Sequence, residues 1–134
     1  MAENHPIVLV DDDEDDRYIF QEAFVHAGCK NRFLQFENGT LFLKYLETVE
    51  PGSHPSLILL DLNMPIIDGR EVLKTVKTSL QWKQIPVVVF TTSKLDKDRA
   101  TAYALGANCF ISKPSGYQEV LDITKAVATL WCIR

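Results

Sequence analysis

Only three cysteines, two tryptophans and three histidines occur in 134 residues, and no apolar run is long. The longest, Leu57–Leu60 and Ile85–Phe90, fall far short of the roughly 20 residues a membrane-spanning helix needs. The opening "MAENHP" lacks the basic and apolar regions of a secretory signal. Cys29, Cys109 and Cys132 are odd in number and widely separated, so a disulfide framework is not expected and a reducing cytosol is. His5, His26 and His54 share no zinc-ligand spacing with them. Lys and Arg are scattered, and the net charge of −4 provides no basic stripe for nucleic acid.

What remains is an ordinary globular composition, 46% hydrophobic and 24% charged, at a length that suits one domain. Short apolar runs alternate with longer amphipathic stretches. Ile7–Val10, Arg32–Phe36, Leu57–Leu60, Val87–Phe90 and Cys109–Ser112 read as strands bounded by Asp, Asn, Gly or Pro. The first helical segment carries Ile19, Phe20, Ala23, Phe24 and Ala27 at helical spacing and ends at Gly28. Leu41, Phe42, Tyr45, Leu46 and Val49 mark the second; Val72, Leu73, Val76 and Leu80 the third. A weaker fourth has Ala100, Tyr103, Ala104 and Leu105, and the fifth has Val120, Leu121, Thr124, Val127, Leu130 and Trp131. Five β-α units predict an α/β fold, a doubly wound five-stranded parallel sheet covered on both faces, with right-handed crossovers. Glu50–Ser56 is the most loop-like stretch, and no second domain is expected.

In open sheets of this kind, ligands bind beyond the carboxyl ends of the strands. The first strand runs into six acidic residues in "IVLVDDDEDD". Asp11 and Asp12 follow strand one, Asp61 strand three, Thr91-Thr92-Ser93 strand four, and Lys113-Pro114 strand five. Three carboxylates on one rim suit Mg²⁺, a hard cation that takes oxygen ligands. A carboxylate can also act as a nucleophile toward phosphorus, with a hydroxyl and an ammonium holding the phosphoryl oxygens. Asp13, Glu14, Asp15 and Asp16 read instead as the cap and first turn of a helix, where negative charge meets the positive dipole end.

The pieces "VLVDDD", "LLDLNMPIIDG", "VVFTTS" and "FISKP", in order and each at a strand end, resemble the response-regulator receiver domain of two-component signalling over nearly the whole chain. The resemblance implies a flavodoxin-like (βα)5 fold and Asp61 as phosphoacceptor. By it Asp11, Asp12, Asp61 and the Asn63 carbonyl form the Mg²⁺ site, Asp12 ligating directly and Asp11 through water. Thr91 and Lys113 become the phosphoryl-binding pair, Phe110 an aromatic switch coupled to Thr91, and Lys113–Pro114 a cis bond. Thr92 and Ser93, flanking the site, are placed to influence phosphoryl lifetime. The implied donor is a sensor histidine kinase or a phosphotransfer protein in the cytoplasm, with a homodimer as a further candidate assembly. With no output domain expected, signalling would run through protein contacts. For Trp131, Cys132 and Ile133 two readings stand, an apolar contact patch or completion of the last helix's packing. A long stretch between Asp12 and Asp61, and Ser115 after Lys113-Pro114, are similar to regulators associated with bacterial phytochromes.

Two rivals set the limits of this reading. A haloacid-dehalogenase-type phosphohydrolase would need Asp-x-Asp-x-Thr/Val after strand one, where this chain has Asp11, Asp13 and Asp15. A receiver fold without phosphoryl chemistry would bind partners constitutively. Continuous phosphate release would identify the first, and absence of any phosphorylation the second.

Overall fold

A computed structural model describes residues 5–132. The elements alternate along the chain: β1 (Ile7–Val10), α1 (Glu14–His26), β2 (Phe33–Phe36), α2 (Gly39–Thr48), β3 (Leu57–Leu60), α3 (Gly69–Thr78), β4 (Val87–Thr91), α4 (Asp96–Ala104), β5 (Cys109–Ser112) and α5 (Tyr117–Trp131). All strand pairs are parallel, in the order β2-β1-β3-β4-β5. Pro51–Ser53 forms a short 3₁₀ turn within the expected loop.

The period-2 alternation of side chains explains why the central strands are apolar throughout. Ile7, Leu9, Leu57, Leu59, Val88 and Phe90 pack against α1 and α5. Val8, Val10, Ile58, Leu60, Val87 and Val89 point the other way, into a core shared with Phe42, Leu46, Val72, Leu73, Val76 and Ala102. Three helices begin on side-chain caps. Asp13 accepts from the amides of Asp15 and Asp16, Asn38 from Leu41, and Asp68 from Arg70. Each satisfies donors that the first helical turn leaves without partners.

Four expectations are corrected. Helix α3 stops at Thr78, where the chain turns extended at Ser79, so Leu80 is 85% exposed instead of completing the inner face. On α4 it is Ala102 that is buried, while Ala100, Tyr103 and Ala104 face outward; closely spaced alanines carry too little contrast to reveal which side packs. The Lys113–Pro114 bond is trans, the lower-energy isomer, and the described residues contain no cis peptide. Lastly, Cys29 and Cys132 are paired in a disulfide, their Cα atoms 5.4 Å apart. In a parallel sheet each helix returns the chain to the same end of the strands. α1 and α5 lie side by side on one face, so the residues beyond their ends meet. Cys109 is free and half-buried.

Trp131 and Cys132 pack against the core beneath α1 and α5, which favours the packing reading of that segment. Ile133 lies outside the described residues. No helix among the described residues is long and apolar enough to cross a membrane.

Candidate functional site

Strand register assembles the site. Val10 pairs with Leu60, so Asp11 and Asp61 leave the sheet side by side; the Asp61 amide donates to the Val10 carbonyl at 3.0 Å. Leu60 pairs with Val89, which lets β4 run on to Thr91 above the acidic residues. Thr91 pairs with Ser112, and the Lys113 amide donates to the Thr91 carbonyl at 2.7 Å. The sequence-predicted rim residues thus gather at one end of the sheet.

Carboxylate oxygens of Asp11, Asp12 and Asp61 lie within 4.8 Å of one another. Asp11 is fully buried and Asp61 is 6% exposed, whereas Asp12 faces solvent. Such an all-oxygen set, with one member open to water, fits a small hard cation that keeps part of its hydration shell. The Asn63 amide N–H donates to Asp61 Oδ1 at 3.2 Å, and its side-chain Nδ2 donates to Thr91 Oγ1 at 3.2 Å. Thr91 is itself fully buried.

The Lys113 ammonium offsets part of this negative charge. Its Nζ lies 2.8 Å from Asp11 Oδ2, 2.7 Å from Asp16 Oδ2 and 3.5 Å from Asp61 Oδ2. Asp16 was read from sequence only as helix-opening charge. The signal that would have singled it out is surplus: capping one helix employs one or two carboxylates, not the whole run.

Burial raises the Asp61 carboxyl to about 6; Lys113 opposes the shift and Asp11 reinforces it. Asp11 is raised too, chiefly by burial, against the Lys113 hydrogen bond. Burial alone would lower the Lys113 ammonium. Hydrogen bonds to Asp11 and Asp16, with the charges of Asp11 and Asp61, outweigh it, and the net shift is upward. The lysine stays charged, and the buried carboxylates are held above their ordinary range, a condition that added positive charge would relieve.

Phe110 on β5 is buried among Val87, Val89 and Ala102. The Arg99 guanidinium sits 5.5 Å over its ring, and its amide donates to the Tyr103 hydroxyl at 3.1 Å. The ring is buried. Gly69, the first residue of α3, lies against the end of β3: a Cβ there would fall 2.1 Å from the Asp61 carbonyl oxygen. Glycine is required at that contact.

Residues 7–125 match the response regulator receiver domain family. Response regulator Rcp1 of Synechocystis sp. is 33% identical over 128 residues, covering 93% of this chain and 87% of that protein. Its solved Mn(2+)-bound form has a TM-score of 0.86 at 32% identity, across 96% of this chain and 94% of that one. The phosphorylated cyanobacterial phytochrome response regulator RcpA has a TM-score of 0.85 at 34% identity, across 95% and 94%. The probable methanogenesis regulatory protein FilR2 of Methanothrix harundinacea is 35% identical over 127 residues, covering 93% of this chain and 82% of its own. The chain therefore belongs to the response regulator receiver domains of two-component systems, a family whose members are phosphorylated on aspartate.

Proposed function

We propose that this protein accepts a phosphoryl group on Asp61 from a histidine kinase or phosphotransfer protein, with Mg²⁺, and signals through altered protein contacts. The observation that carries the reading is the buried Asp61 carboxylate within reach of both the Lys113 ammonium and two further carboxylates. A buried carboxylate is a competent nucleophile when its repulsion toward an incoming phosphoryl group is offset. In the transfer one Asp61 oxygen bonds to phosphorus as the bond from phosphorus to the donor's imidazole nitrogen breaks, and the donor leaves as neutral histidine after taking up a proton.

Asp11, Asp12, Asp61 and the Asn63 carbonyl would hold the cation. When bound, it supplies positive charge that offsets the phosphoryl oxygens. Lys113 already stands beside Asp61 and stays protonated, so it is ready to pair with one phosphoryl oxygen. Thr91 accepts hydrogen bonds from Asn63 Nδ2 at 3.2 Å and from the Ser93 amide at 3.3 Å. A hydroxyl has two lone pairs and one proton. With both lone pairs taken, its proton is available to a phosphoryl oxygen.

Output follows from Thr91 and Phe110. Thr91 is on β4, and Phe110 pairs with Val89 in the neighbouring strand. A shift of the segment after β4 would change the space beneath Arg99 and the ring, and hence the surface formed by α4, β5 and α5. RcpA is a phytochrome response regulator, and likeness to it favours a sensor kinase of that class as the donor in the cytoplasm. The test is intact-mass measurement after incubation with acetyl phosphate and Mg²⁺. The wild type should gain one phosphoryl group and Asp61→Asn none. Equal gain in both would move the acceptor elsewhere, and no gain in either would leave a constitutive interaction module.

A further inference from the structure

Four residues outside the phosphoryl-binding set form a chain from the start of α3 to Thr91. The Arg70 guanidinium donates through Nη1 to both oxygens of Asp68 at 3.1 Å, and through Nη2 to Asp98 Oδ1 at 2.9 Å. Asp98 Oδ2 accepts the Ser93 hydroxyl at 2.5 Å. The same hydroxyl accepts the Leu95 amide at 3.2 Å, and the Ser93 carbonyl accepts from Ser112 Oγ at 2.9 Å. Ser93 is thereby anchored on both sides of its backbone, and its amide delivers the second hydrogen bond onto Thr91 Oγ1.

The other end of this chain is fixed with equal closeness. Arg70 follows Gly69, whose amide donates to the Leu62 carbonyl at 2.9 Å and whose Cα abuts the Asp61 carbonyl. The backbone that carries Asp61 is therefore tied, through Arg70, Asp98 and Ser93, to the orientation of the Thr91 hydroxyl. Helix propensity alone does not account for the arrangement. The N-cap position of α4 is Leu95, which offers no side-chain cap, and the Asp98 carboxylate turns back to Ser93. That carboxyl is held below its ordinary range, first by the Ser93 hydroxyl and then by Arg70, so it stays ionised and keeps both hydrogen bonds.

We infer that Arg70 and Asp98 are positioning residues: by fixing Ser93 they keep the second lone pair of Thr91 occupied, beside the one that Asn63 fills, and its proton directed toward the phosphoryl group on Asp61. This rests on the phosphoacceptor reading above. Neither side chain reaches the reacting atoms, so the effect passes through the hydroxyl.

Calorimetric titration with beryllofluoride and Mg²⁺, beryllofluoride standing for the phosphoryl group, tests the inference. Asp98→Asn and Arg70→Gln should each weaken beryllofluoride by about tenfold, the loss of one charge-assisted hydrogen bond. The double variant should lose no more than either alone. Arg70→Lys, which keeps the charge without the two-pronged fork, should recover part of the loss. In a Thr91→Ala background, Asp98→Asn should change the affinity no further. In metal-free protein, amide hydrogen exchange at Ser93 and Leu95 should be faster in both single variants. Lower melting temperatures with unchanged affinity would reduce the chain to a structural brace and overturn the inference, as would an undiminished effect in the Thr91→Ala background. Wild-type protein that takes up no beryllofluoride would sink the phosphoacceptor reading itself, and this inference with it.

Discussion

Replacing Asp61 with Asn should make the metal-free protein more stable while abolishing its proposed function. The Asp61 carboxyl rises from the ordinary 3.8 to about 6, chiefly through burial. The sign follows from proton counting: between those values the folded state binds more protons than the unfolded one, so stability falls as pH rises through that window. Above it the full penalty is present. At 1.36 kcal/mol per unit the shift corresponds to about 3 kcal/mol. Asn keeps the shape and removes the charge, and Lys113 keeps Asp11 and Asp16 as partners. Allowing for water at the pocket's open side, where Asp12 is exposed, the gain should be about 1–3 kcal/mol. That is a rise of roughly 5–10 °C in melting temperature for a domain of this size. The assay is thermal unfolding with a chelator at pH 7.5 and again at pH 5. The advantage should be full at the first pH and reduced to roughly half at the second, where wild-type Asp61 is protonated in the fold but still ionised in the unfolded chain. Adding Mg²⁺ at about a hundredfold over its dissociation constant should return about 2.7 kcal/mol to the wild type and less to the variant. A variant no more stable at pH 7.5, or a gap that does not narrow at pH 5, would refute the assignment of repulsion to this site.

Three further outcomes are expected. Gly69→Ala should lower stability by about 3 kcal/mol or more and impair phosphorylation, because its Cβ would overlap the Asp61 carbonyl oxygen; chemical denaturation and the mass assay measure the two effects. Ile66 has φ of 69° and is 86% exposed, so Ile66→Gly relieves left-handed strain at a β-branched residue without losing packing. A gain of about 1 kcal/mol is expected, read from the denaturant midpoint. Cys29→Ser should lose about 2–4 kcal/mol under non-reducing conditions, since the Cys29–Cys132 bond spans 103 positions. Dithiothreitol should remove most of the difference between variant and wild type; a difference that persists in full reductant would mean the loss is one of packing.

The β-α alternation, the strand positions and the rim residues Asp11, Asp12, Asp61, Thr91 and Lys113 were legible in the sequence. Each is a local signal: a short apolar run, then a polar residue where the strand ends. Parallel strands in register bring those ends together, so chain order alone implies one cluster. The acidic residues at Asp13–Asp16 were legible for the same reason, as cap and first helical turn.

Tertiary structure alone decided what depends on elements packing across the fold. The pairing of Lys113 with Asp16 needs α1 to approach the end of β5, and sequence offers only two charged residues nearly a hundred positions apart. The disulfide between Cys29 and Cys132 needs α1 and α5 to end side by side, which parity of cysteine number argued against. Arg70 and Asp98 look like ordinary surface charges until α3 and α4 bring them within 2.9 Å. Sequence patterns encode periodicity and local capping along one segment. Contact between side chains on different helices depends on how those helices settle on the sheet, and no single segment contains that information.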